Sequence, residues 1–322
     1  MRIYCLIFFL VLSDFLATSE AQSHQTKSVS DRDAFVFKST DGGISWSAII
    51  GFDAGISAHY GNVIVVDPLT SSTVYVGTNN GLIKSTDGGG TWAEITVGLN
   101  DRSIKAIAVY PQNPSILYIL AFNQWGTIYR STDAGKHWEQ VTLPLQGAAY
   151  SLAFDPLNPS VLYAGGSDPD MAVVYKTTDG GGSWSSVRLP VLGLAFTDKL
   201  ALDPMAPTNL YASNHGGNNR GGLSKSTDAG RTWRETNLTE TIIHTLTPDP
   251  HTSSMLYVTC SDGILKSSDG GDHWIDLSNG FNRSRLVQCL TIDPTSTTTL
   301  FAGTFDSLFQ TTDGGLAGPL LV

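Results

Sequence analysis

From Phe35 onward apolar and polar residues alternate in short runs with the two-residue period of strands, and no stretch carries the 3.6-residue period of an amphipathic helix. One run recurs six times with a large apolar residue at Ile64, Ile107, Leu152, Leu200, Leu246 and Leu290. The next position is small or β-branched each time (Val65, Ala108, Ala153, Ala201, Thr247, Thr291), as suits a strand squeezed near an axis. Asp-Pro closes most copies, and proline, lacking an amide donor, stops the strand. A second run carries an aromatic in register at Tyr75, Tyr118, Tyr163, Tyr211, Tyr257 and Phe301. A third leads into a polar turn, and a fourth leaves that turn from a tryptophan. The pattern predicts four antiparallel strands per unit.

The turn itself is the most repeated stretch. Lys84 to Trp92 reads K-S-T-D-G-G-G-T-W, with close copies starting at Lys38, Arg130, Lys176, Lys225 and Lys266. A seventh, Q-T-T-D-G-G from Gln310, lacks its Trp. An Asp carboxylate accepts bonds from turn amides, Gly tolerates positive φ, and the Trp buries a large apolar area between packed sheets. The box aspartates are Asp41, Asp87, Asp133, Asp179, Asp228, Asp269 and Asp313, at intervals of 46, 46, 46, 49, 41 and 44 residues. Chemistry needs one placed carboxylate, so seven equivalent ones indicate structure. A period in the forties indicates a propeller or solenoid.

The S-x-D-x-G-x-x-W pattern resembles the Asp-box (BNR) repeat of sialidases, xyloglucanases, sortilin-type receptors and photosystem II assembly propellers. The resemblance covers nearly everything after residue 35 and implies an all-β protein, a single β-propeller of four-stranded blades. Residues 35–50 supply only a third and a fourth strand, and residues 288–315 a first, second and third. Sheet edges left open are a liability. The expectation is therefore six blades with the chain ends sharing one, a seven-bladed parent being the alternative.

Composition agrees with a turn-rich β protein: 322 residues with 33 Gly, 14 Pro and 15% charged residues. The net charge of −10 argues against nucleic acid as partner. Residues 1–21 read as a secretory signal peptide, with Arg2 ahead of an apolar run at Ile3 to Leu12 and small residues Ser19 and Ala21 at the cleavage site. Residues 22–34 read as a polar linker and 35–322 as the propeller. A secreted or periplasmic monomer with no membrane span is expected. Cys5 leaves with the signal, and Cys260 and Cys289 read as two buried thiols in preference to a disulfide. No spacing suggests a metal or other cofactor.

If the boxes mark one end, the loops before strand one and between strands two and three share the opposite end, where the copies cease to resemble one another. Function belongs there. Arg102, Trp125, His215, Arg220, Arg283 and Arg285 are the candidate ligand-binding residues. Asp53, His59, Asp101, Asp168, Asp170, Asp198, Lys199, His244 and Asp306 share the face. A sialidase clamps a carboxylate with three arginines, but its Arg-Ile-Pro motif is missing. The xyloglucanase resemblance implies a catalytic Asp in a T-D-V-G-G-type segment. The nearest segment here is T-N-N-G, with Asn79 in that place, and an amide cannot move the proton. The expectation is an exported, non-catalytic propeller binding a protein or carbohydrate. A secreted glycoside hydrolase is the alternative, and a photosystem-type assembly factor a further one.

Overall fold

The computed structural model describes residues 34–51, 61–122, 126–143, 148–191, 194–216, 221–261, 263–278, 287–304, 307–315 and 320–321. Its strands form six four-stranded antiparallel sheets and one two-stranded sheet, with no helix among the described residues. Blade one holds Gly61–Val66, Val74–Thr78, Gly81–Ser85 and Ala93–Glu94, and the same meander repeats to blade six, which starts at Cys289–Asp293. The first strands of successive blades lie beside one another, so strand one is innermost and the sheets radiate from an axis. No comparable contact, among the described residues, joins blade six's first strand back to blade one's.

The second strand is the core. All five residues of Val74–Thr78, Leu117–Ala121 and Leu256–Cys260 are buried, because neighbouring blades cover both faces. The aromatic column at Tyr75, Tyr118, Tyr163, Tyr211 and Tyr257 is at most 1% exposed. Burial pushes the Tyr75, Tyr163 and Tyr211 phenols up to about 12. Over each ring lies the cation that opens the following box, with Lys84 5.0 Å from the Tyr75 centroid and Lys176 5.1 Å from that of Tyr163. These cations are also latches between blades. Lys84 Nζ donates to Ala134 O of the next box at 3.1 Å, and Lys176 Nζ to Ala229 O at 2.8 Å.

Each box closes on itself. Asp87 Oδ1 accepts from Ser85 Oγ at 2.8 Å and from the Thr91 amide at 2.9 Å, while Oδ2 accepts from Thr91 Oγ1 at 2.7 Å. These donors favour the charged form and hold the carboxylate well below its usual range. Gly88 and Gly89 at φ 72° and 98° let the chain turn beneath it. The tryptophans were expected to be wedged between sheets. Only Trp138, 5% exposed, is fully buried; the others are half-buried lids whose indoles mostly donate to their own box, as Trp92 Nε1 does to Gly89 O at 3.1 Å.

One expectation is corrected. β1 (Ala34–Lys38) and β2 (Ser47–Gly51) do not complete the last blade. Blade six receives its fourth strand from Leu320–Leu321, a pairing hidden in the sequence because the seventh box has no Trp. The β1–β2 sheet instead occupies a place of its own between blades six and one. Lys38 Nζ donates to Gly88 O of blade one at 2.7 Å, and Gln310 Nε2 of blade six donates to Gly42 O at 3.3 Å. Cys260 and Cys289 are free thiols, with Cys260 buried. The leader and most of the linker lie outside the described residues.

Candidate functional site

Strand one enters from the end opposite the boxes, and in five blades it enters through a β-bulge. The ladder slips between Gly61 and Val63, Ile104 and Ala106, Ala149 and Ser151, Thr197 and Lys199, and Ile243 and Thr245. A bulge leaves one residue unpaired and re-aims its side chain. The bulged residues are Asn62, Lys105, Tyr150, Asp198 and His244, five chemistries at one equivalent position. Lys105 Nζ reaches across to Asn62 Oδ1 of the preceding blade at 3.1 Å, and Lys199 Nζ pairs with Asp198 Oδ2 at 3.0 Å. Burial first, and then the Lys199 ammonium, push the His244 imidazole below its ordinary value.

The bulge at Tyr150 completes an aromatic row across blades two to four. The Phe122 and Tyr150 rings are 6.0 Å apart, Tyr150 and Phe196 4.8 Å, and Phe196 and His215 5.1 Å, the last pair stacked at 24°. All four rings are half-buried. Phe122 and His215 hold equivalent places, four residues beyond the tyrosine column, where blade one has Asn79. His215, a lone loop imidazole by sequence, thus ends an aromatic row on the last strand-two residues of blade four. Sequence reasoning missed Phe122, Tyr150 and Phe196. Only Tyr150 has a sequence signal, an aromatic at a position where the other copies carry Asn62, Lys105, Asp198, His244 and Gln288.

Arg102 is exposed at the blade-two end of the row, and Phe122 N–H donates to Ser103 O at 2.8 Å, so the backbone that carries Arg102 and Lys105 pairs with that of the first ring. Asp101 is held by the Tyr129 hydroxyl at 3.1 Å. Asp168 and Asp170 belong to a turn in which the Asp168 amide donates to Met171 O and Asp170 O accepts from the Ala195 amide, each at 3.0 Å. Trp125, Arg220, Arg283 and Arg285, with Asp53, His59 and Asp306, lie outside the described residues. No group of three or more metal-ligating side chains occurs among the described residues.

The BNR/Asp-box repeat matches residues 37–48, the first of the turns described above. The chain is an Asp-box β-propeller. The Sortilin-Vps10 family (sortilin, neurotensin receptor 3) matches residues 80–219 of the Asp-box propeller. Xyloglucanase Xgh74A of Acetivibrio thermocellus is 29% identical over 127 residues, 35% of this chain and 15% of that protein. A xyloglucanase of Hypocrea jecorina is 29% identical over 123 residues, again 15% of that protein. The matches thus span about a seventh of these relatives. Among solved structures, the Niastella koreensis GH74 enzyme superposes with TM-score 0.72 at 17% identity, over 90% of this chain and 50% of that one. YCF48 bound to D1 peptide superposes with TM-score 0.60 at 18% identity, over 81% of this chain and 80% of that one. Both are likenesses of fold. No helix among the described residues is long and apolar enough to cross a membrane.

Proposed function

We propose that the Asp-box propeller is an extracytoplasmic carbohydrate-binding protein whose ligand lies across the aromatic row on the loop face. The single observation that carries this is the four-ring row, half-buried and continuous over three blades. A row of aromatic faces suits a ligand with flat apolar faces and polar edges, as sugar rings have, and pays for little conformational ordering because the rings are already packed. The stretch shared with xyloglucanases supports a polysaccharide as the ligand class. The test is calorimetry with xyloglucan oligosaccharides. Tyr150→Ala and Phe196→Ala should each weaken binding about tenfold, the scale of one lost aromatic contact. Trp92→Ala should leave affinity unchanged in the folded fraction. Absence of binding to any polysaccharide by the wild-type protein contradicts the reading.

The same shared stretch favours hydrolysis as a second reading. A glycosidase needs a protonated acid and a second carboxylate roughly 5–9.5 Å away across the sugar. Two carboxylates of this face are engaged, Asp101 by Tyr129 and Asp198 by Lys199. A reducing-end assay on wild type, Asp101→Asn, Asp168→Asn and Asp198→Asn separates the readings. Turnover abolished in two of the variants and retained in the third establishes an enzyme. No release above the no-protein control leaves binding as the activity.

A further inference from the structure

The two ends of the aromatic row differ in charge. At the blade-four end Asp198 and Lys199 neutralise one another at 3.0 Å. At the blade-two end stand Arg102 and Lys105, both exposed, while the neighbouring Asp101 carboxylate is turned to the Tyr129 hydroxyl at 3.1 Å. Lys105 bonds to the amide oxygen of Asn62 at 3.1 Å, and neither cation has a carboxylate partner among the described residues. They are tied to the row by the backbone, since Ser103, between them, accepts the Phe122 N–H at 2.8 Å. The bulge leaves Lys105 out of the ladder, and its side chain reaches the preceding blade at Asn62.

We infer that the propeller takes an acidic glycan, with a uronate carboxylate seated between Arg102 and Lys105 and the neutral sugars following across Tyr150 and Phe196. The inference rests on the carbohydrate reading and adds the ligand's charge and direction. A guanidinium and an ammonium together match a planar carboxylate, and the bonds formed are charge-assisted. The overall negative charge does not oppose this. Beyond about 8 Å it is screened at physiological salt, while the two cations act at contact.

The discriminating experiment uses a matched pair of probes, cellohexaose and its C6-oxidised, glucuronate-bearing form, titrated into the full chain. At low salt the oxidised probe should bind about five- to tenfold tighter, the scale of two exposed ion pairs. That advantage should fall below about twofold at ~0.5 M salt, where screening reaches only a few ångströms. It should also vanish in Arg102→Gln/Lys105→Gln and return in part in Arg102→Gln/Lys105→Arg, while Phe196→Ala weakens both probes alike. Equal affinity for the two probes, or an advantage that survives the double Gln variant, overturns the inference and leaves the carbohydrate reading standing. Failure of both probes, with binding of a peptide bearing a free C-terminal carboxylate, overturns both and gives the surface to a protein ligand.

Discussion

Ala134 and Ala229 sit at φ 61° and 59°, where the other five boxes place glycine at φ 72–76°. A side chain in that left-handed region costs energy that glycine avoids, while glycine loses more freedom on folding. The strain outweighs the entropy at these turns, so Ala134→Gly is expected to raise stability by about 0.5–1 kcal/mol. A urea titration showing an unchanged or lower midpoint contradicts this. The box carboxylates give a second residue-scale expectation. Hydrogen bonds from Ser45 and Ser39 hold Asp41 down to about 2, and Thr232 and Ser226 do the same for Asp228. A folded-state value below the unfolded one (near 3.9) means stabilisation fully present above about pH 4 and lost as pH falls toward 2. The denaturation midpoint should drop across that window, and Asp41→Asn should flatten the drop. The repeated residues were legible because each argument could be made six or seven times. The aromatic row was not, because its four rings come from three non-equivalent positions and become consecutive only when blades pack.

Strands carry the next level. The inner three strands of each blade were readable from alternation, register aromatics and Asp-Pro stops, and they are where the columns predicted them. The bulges were not readable. A bulge is set by which backbone groups pair, and the bulged residues share no side-chain type that could form a motif. The last blade's fourth strand was equally hidden, since Leu320–Leu321 carries neither Trp nor alternation. Burial differences between equivalent strand starts have an energetic consequence. Trp138 is 5% exposed, packs on the core of blades one and two, and donates its indole N–H to Ile95 O at 2.9 Å in the preceding blade. Trp138→Ala should cost about 3–5 kcal/mol, as for an aromatic removed from a core. Trp92 is half-buried, and Trp92→Ala should cost about 2 kcal/mol by its smaller buried area. Equal losses in the two variants would show that the lids and the wedge are not different in kind.

At the scale of the molecule, blades one to five each present a tyrosine and a cation to the next box, from Lys84 over Tyr75 to Lys266 over Tyr257. Blade six presents Phe301 and Gln310 to the β1–β2 sheet, keeping the place of the pair and losing both its hydroxyl and its charge. Restoring the pair with Phe301→Tyr and Gln310→Lys should add about 1–2 kcal/mol, one cation–π contact and one hydrogen bond. It should also slow unfolding in a chevron measurement, and an unaltered unfolding rate would show that the joint is not where opening begins. The β1–β2 sheet has further consequences. Under thermal agitation or pulling, a circle with one soft joint behaves as a horseshoe whose two tips are known in advance. Amide exchange should run from β1 and blade six inward and reach blade three last. A homologous pair of strands arriving from outside would meet the open tips before any other part of the arch.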